Sequence, residues 1–255
     1  MSDIILESLN IRKEFGGVVA LDNLTFLVER NTITAIIGPN GAGKTTLINV
    51  VSGMYAPERG SIFLNREVIS GLKPFEITSC GLARTFQNAQ IFGNMTVLEN
   101  VMVGRHLRTR SGMLSAALRL PQTRREEPVT QHKSLFYLEM VGLKDIAGRP
   151  ASSIPIGNQR LLEIARALAT EPAILLLDEP AAGLNTQETR QLGTLIRSIK
   201  EMGITVVIVE HDMELIMDIS DEIIVLNYGK RIAEGKPAEI QANQQVIDVY
   251  LGTEE

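Results

Sequence analysis

Gly38-Pro39-Asn40-Gly41-Ala42-Gly43-Lys44-Thr45-Thr46 decides the fold of this chain, because Gly38 to Thr45 fill every position of a G-x-x-x-x-G-K-[ST] phosphate loop. Such a loop needs a strand before it and a helix after it. Thr32 to Ile37 reads as a buried strand and Thr46 to Val51 as the opening of a helix, so both flanks are present. The glycines let successive backbone N–H groups face a β-phosphate at a helix N-terminus. Lys44 supplies a mobile cation for the β and γ oxygens, and Thr45 offers a hydroxyl to Mg²⁺. The stretch predicts binding of ATP or GTP.

Outward from the loop, Ile174-Leu-Leu-Leu-Asp178-Glu179 places two carboxylates at the end of an apolar run. Open α/β sheets bind ligands at the carboxyl ends of their strands, so Asp178 can hold Mg²⁺ through water. Glu179 can orient an attacking water or accept its proton. Ala173 to Leu177, Ile204 to Val209 and Ile223 to Leu226 are near-continuous apolar runs, with a helical Gln187 to Met202 between the first two. Runs of that kind predict a parallel sheet covered on both faces.

The first 86 residues carry shorter strand patterns at Ile4 to Leu9, Leu24 to Val28, Thr32 to Ile37 and Ser61 to Leu64. From Met95 the period changes: Met95 to Val103 and Ser134 to Val141 space their apolar residues as helices do, and Gly142 stops the second. A helical lobe is therefore expected inside an α/β core.

The chain has 255 residues, 44% of them apolar, which is enough for one substantial core with a small satellite. A single cysteine, Cys80, cannot form an internal disulfide, and this suits a reducing compartment. No basic and then apolar leader opens the chain, and no apolar run approaches the ~18 residues of a spanning helix. The expectation is a soluble cytoplasmic protein. With a net charge of −5, any nucleic-acid footprint would be local.

Taken together these residues resemble the ATP-binding cassette (ABC) ATPases that drive membrane transporters, and the resemblance covers essentially the whole chain. It implies an α/β fold: a P-loop NTPase core with a mixed, largely parallel sheet, an antiparallel β part and an inserted α-helical subdomain. One nucleotide-binding domain would span 1–255, with 1–87 and 168–255 as the core and 88–167 as the helical subdomain. Gln87, in Thr85-Phe-Gln87, looks like the family's Q-loop glutamine, which touches Mg²⁺ and the water. His211, in Val209-Glu-His211-Asp, looks like the switch histidine that reads the γ-phosphate, and Asn185 resembles the D-loop. Phe15 resembles the aromatic that stacks on adenine, although a phenylalanine alone is more often a core residue.

The signature is where the chain departs from the family. Ile154-Pro155-Ile156-Gly157-Asn158 stands where LSGGQ is expected, and a basic and then apolar helix follows. Gly157 and the helix start leave N–H groups free to meet a γ-phosphate. Pro155 removes a hydroxyl and an N–H donor. One lost hydrogen bond to a charged phosphate is worth about 1.5–3 kcal/mol. In the family the signature acts on the nucleotide of the opposite subunit, so the resemblance implies a dimer of cassettes, with a heterodimer favoured.

Phe15-Gly-Gly, Arg84-Thr-Phe-Gln87, Met95 to Asn100, Ala181 to Asn185, Glu210 to Met213 and Val249-Tyr-Leu-Gly252 further resemble the ATPase subunit of branched-chain amino acid importers. That resemblance implies integral membrane permease subunits and, indirectly, an extracytoplasmic solute-binding protein, with the ATPase peripheral on the inner face of the membrane. Two other classes stay open: an ATPase of a lipid or lipopolysaccharide exporter, and a soluble nucleic-acid-associated ABC ATPase. The second is disfavoured because no tandem cassette, long coiled coil or basic arm is visible. Six Arg and one His between Arg105 and Arg125 suit either a solvated insertion or anionic headgroups.

Overall fold

The computed structural model describes residues 3–86, 90–108 and 121–251. The chain divides into two compact units, Met1–Arg84 with Ala173–Glu255, and Thr85–Pro172.

In chain order the first unit opens with β1 (Ile4–Phe15), β2 (Val18–Glu29), β3 (Ile33–Ile37), α1 (Lys44–Val51), β4 (Arg59–Leu64), β5 (Glu67–Val68), α2 (Pro74–Ser79) and β6 (Leu82–Arg84). The second unit contributes α3 (Val97–Gly104), α4 (Pro121–Met140) and α5 (Ile156–Leu168). The first unit then resumes with β7 (Ile174–Asp178), α6 (Thr186–Glu201), β8 (Thr205–Val209), α7 (Met213–Ile219), β9 (Glu222–Asn227), β10 (Lys230–Gly235), α8 (Pro237–Gln241) and α9 (Gln244–Leu251).

Two sheets build the first unit. The larger runs β10-β9-β3-β8-β7-β6, parallel from β9 to β6, with β10 antiparallel at its edge. Every residue of β3, β7 and β8 is buried, as expected of central strands covered on both faces. The smaller sheet, β2-β1-β4-β5, is antiparallel. Leu47 and Ile48 of α1 belong to one core cluster with Ile5, Phe26 and Ile62 of the small sheet and Ile36, Leu176 and Val207 of the large one. The helix after the phosphate loop is thus fixed from both sides.

β1 and β2 run several residues beyond the apolar patterns that announce them. Asn10 (φ 52°) and Asn23 (φ 53°) take left-handed backbone and interrupt the alternation, while the β1–β2 register shifts between Ser8 and Ile11. The bulged ladder continues to Phe15, where Gly16 and Gly17 turn the chain. β10, with the sequence KRIAEG, has too little apolar character to be read as a strand, and it is held by pairing with β9.

In the second unit, Val97, Val101, Leu138, Leu162, Ala165 and Leu168 are buried among three helices. Thr96 caps α3, its side chain accepting the N–H of Glu99 while Glu99 returns to the Thr96 N–H at 2.7 Å, so the helix starts two residues after Met95. Arg105 corrects the reading of the basic segment that it opens. Its side chain is buried, donating to the Ala169 carbonyl at 3.2 Å and to Glu171 at 3.0 Å, and Lys133 joins the same carboxylate. Arg105 is a structural cation, neither a solvated charge nor a headgroup contact. Residues 109–120 lie outside the described residues.

Candidate functional site

The phosphate loop leaves the end of β3 between strands β8 and β9, at the carboxyl edge of the large sheet. Gly38 has φ 152°, and a Cβ there would lie 2.2 Å from the Leu226 carbonyl oxygen. Gly43, the residue before α1, has φ 101°, and its Cβ would lie 2.6 Å from the Ala20 oxygen. Both positions require glycine, on conformation and on space. Between them Pro39 and Gly43 are half-buried, Asn40 and Gly41 exposed, and Ala42 buried. At the start of α1, Thr45 is exposed and Thr46 half-buried.

Lys44 lies along the inside of this loop, its Nζ donating to the Gly38 carbonyl at 2.6 Å and to the Pro39 carbonyl at 3.0 Å. Burial lowers its pKa from 10.5, and the negative charge of Glu179 partly counters that fall. Its Nζ thus lies where anionic oxygens would meet it, and such oxygens would favour the charged form that burial disfavours.

Asp178, the last residue of β7, is buried beside Arg84 of β6, whose guanidinium donates to Asp178 Oδ2 at 3.0 Å. The same guanidinium reaches Asn49 Oδ1 of α1 at 2.7 Å and the Ser52 hydroxyl at 2.8 Å. Burial raises the Asp178 pKa, Arg84 pulls it down, and the rise prevails.

Glu179 follows with φ 49°, a left-handed conformation uncommon for a residue with a side chain. Its N–H donates to the Val209 carbonyl at 2.8 Å, so the turn after β7 is pinned to the end of β8. There His211 brings Nε2 to 3.0 Å from Glu179 Oε1. Glu210 fixes both turns: its buried carboxylate accepts the Ala181 N–H at 2.6 Å and the His211 N–H at 2.9 Å. Burial raises the Glu210 pKa, and these backbone donors oppose the rise. Asn185 caps α6 by accepting the Glu188 N–H at 3.0 Å.

Phe15 is 43% exposed and sits edge-on to Tyr55, with ring centroids 5.2 Å apart and Lys13 Nζ 5.0 Å from its centroid. It is no core residue. In the second unit, Pro155 precedes α5 with no side-chain cap, Ile156 is 72% exposed, and Gly157 and Asn158 are half-buried. Gln87 lies outside the described residues.

Among the described residues the first unit thus gathers the phosphate loop, Asp178, Glu179 and His211 at the ends of neighbouring strands. Sequence reasoning missed Arg84 and Glu210 as parts of this site. Both stand in short strings that the sequence makes conspicuous, but only folding shows that each is a buried charge with a partner on another element.

The matching family model is that of the ABC transporter, over residues 21–182. The chain belongs to the ABC transporter family. A second model, described as branched-chain amino acid ATP-binding cassette transporter, matches residues 230–255. The chain is 44% identical over 253 residues to BraF of Pseudomonas aeruginosa, a high-affinity branched-chain amino acid transport ATP-binding protein, covering 99% of each. It is similar in fold to a solved ATP-binding cassette of an ABC transporter in its ADP conformation, with TM-score 0.84, 33% identity, and 98% and 99% of the two chains covered. A dimeric, post-hydrolysis cassette bound to ADP and Pi also matches, with TM-score 0.78, 26% identity, and 91% and 99% covered. The chain is accordingly a nucleotide-binding ATPase subunit of a membrane transport system. Among its described residues no helix is long and apolar enough to cross a membrane.

Proposed function

We propose that this subunit hydrolyses ATP to drive a branched-chain amino acid importer from the inner face of the membrane. The observation that carries the catalytic part is the Glu179–His211 pair, 3.0 Å apart at the ends of β7 and β8, beside the strand that feeds the phosphate loop. The solute class rests on the full-length likeness to BraF and on the match at residues 230–255.

In this reading the N–H groups of residues 38–46 cradle the phosphates, Lys44 leaves the Gly38 and Pro39 carbonyls for the β and γ oxygens, and Phe15 supports the adenine. Glu179 Oε1 accepts a proton from the attacking water as its oxygen bonds to the γ-phosphorus and the bond to the β–γ bridging oxygen breaks. His211 holds that carboxylate in place through Nε2 and faces the γ-phosphate. The family resemblance gives Gln87 the task of orienting the same water. The Thr45 hydroxyl and, through water, Asp178 suit Mg²⁺, a hard cation that is usually held by few protein oxygens, and the family resemblance would add the Gln87 amide oxygen. When bound, Mg²⁺ neutralises charge on the β and γ oxygens.

The partner is a second cassette, as in the dimeric relative, and a sister subunit is favoured over a copy because the importers that this chain resembles commonly use two different cassettes. Residues 155–158 then serve the partner's nucleotide, while Asn185 stands at the D-loop. The solute path lies in integral membrane permease subunits, to which an extracytoplasmic solute-binding protein delivers the amino acid. The test is uptake of labelled leucine, isoleucine and valine into vesicles containing the assembled transporter and internal ATP. Lys44→Ala is expected to abolish uptake of all three. Unchanged uptake, or uptake of none by the unaltered transporter, contradicts the reading.

A further inference from the structure

Glu163 lies in the middle of α5, the helix whose first turn carries the signature residues Ile156 to Asn158, and it is 3% exposed. Its Oε1 accepts the N–H of Phe86 at 3.3 Å and the N–H of Gln90 at 3.4 Å. The two donors stand on either side of residues 87–89, so the chain enters and leaves that stretch at one carboxylate oxygen. Arg166, one turn on, reaches the same oxygen at 3.5 Å, and its guanidinium lies 5.5 Å from the Phe92 ring centroid. A second link from α5 to the far side of the stretch thus runs through Phe92.

Packing alone does not call for an acid here. An apolar side chain of similar size would fill the position without desolvating a charge, and buried ion pairs are often replaceable by well-packed apolar groups at no cost. Burial does raise the Glu163 pKa, with Arg166, the two N–H groups and Arg160 opposing the rise. What the carboxylate adds over an apolar residue is directional attachment of both backbone segments to the signature helix.

We infer that Glu163 is a positioning residue that ties Phe86 and Gln90 to the signature helix, so that a displacement of these two anchors or of the helix is passed to the other. The inference rests on the reading that Gln87 and residues 155–158 act on nucleotide. It adds the side chain that links the residues flanking Gln87 in sequence to the helix that opens at Ile156. Since one N–H on a carboxylate is worth roughly a factor of ten, Glu163→Ala should lower kcat about tenfold. KM for ATP should stay within about twofold, because the phosphate loop belongs to the other unit.

The test uses the assembled transporter, comparing unaltered, Glu163→Ala and Glu163→Gln forms by steady-state ATPase kinetics and by hydrogen–deuterium exchange with and without a non-hydrolysable ATP analogue. In the unaltered protein, segments 84–92 and 153–162 are expected to gain protection together on binding the analogue. In Glu163→Ala, segment 84–92 exchanges faster and no longer follows the analogue, while segment 153–162 still does. Glu163→Gln, which keeps one acceptor oxygen and the packing, falls between and serves if the alanine form does not fold. Joint protection in both variants with unaltered kcat per folded subunit overturns the inference. Absence of ATP hydrolysis in the unaltered transporter would instead overturn the reading on which it rests.

Discussion

The Arg84 guanidinium holds the Asp178 carboxylate at 3.0 Å, with both side chains almost fully withdrawn from water. Removing one member of a buried pair strands the other, at a typical cost of 3–5 kcal/mol. Arg84→Ala should therefore lower stability by about that amount and raise the Asp178 pKa further. Arg84→Lys, which keeps the charge but cannot span Asn49, Ser52 and Asp178 together, should cost less. Chemical denaturation of the three proteins checks the order. Equal stabilities would show that this pair carries no weight.

Lys44 gives a pH dependence with a defined sign. Burial lowers its pKa from 10.5 in the protein without nucleotide, and phosphate oxygens would raise it again on binding. Binding then takes up a proton above the lowered pKa, so ATP affinity should fall as pH rises through that value and before 10.5. Affinity titrations between neutral and alkaline pH read this directly. Glu179 and the Gly38 and Pro39 carbonyls, which face the ammonium, do not reverse the sign.

Phe15 is placed as a platform. Its ring is 43% exposed and steadied at the edge by Tyr55. Phe15→Ala should weaken ATP binding by about 1–3 kcal/mol, with GTP affected nearly as much, because stacking tolerates any base. Phe15→Tyr should leave affinity unchanged or slightly improved. A loss of folding without loss of affinity in the folded fraction would remove the stacking role.

Pro155 stands at the N-cap of α5 with no side-chain cap, so Pro155→Ser offers two gains: an N-cap hydroxyl worth about 1 kcal/mol to the helix and a donor for the partner's phosphate. ATPase activity of the assembled complex should rise, and more than stability alone accounts for. In a sister pairing, disabling Lys44 should remove most activity, and disabling the sister's equivalent lysine should remove little. Equal losses from the two lysine variants, with no gain from Pro155→Ser, would end the asymmetry argument.

What the sequence discloses and what it conceals divide along physical lines. The phosphate loop is legible because glycine spacing, the lysine and the flanking apolar runs are all local. The central strands are legible because burial on both faces leaves unbroken runs at Ile33–Ile37, Ile174–Asp178 and Thr205–Val209. Arg84 is not, because its partner lies 94 residues away. Glu210 looks like an exposed acid beside a histidine until the turn after β7 arrives to donate its N–H. The hairpin from β1 to β2 is half hidden, since Asn10 and Asn23 break the alternation at the bulges. Arg105 belongs by sequence to a basic segment and by structure to Glu171.

The most direct measurement is ATP binding and turnover by Glu179→Gln in the assembled transporter. Its amide keeps the shape of the turn at φ 49° but cannot take the proton of water. The account predicts ATP affinity within a few-fold of normal, turnover lower by about 10²–10⁴, and an accumulated ATP-bound dimer. Hydrolysis and transport near the normal rate would contradict it.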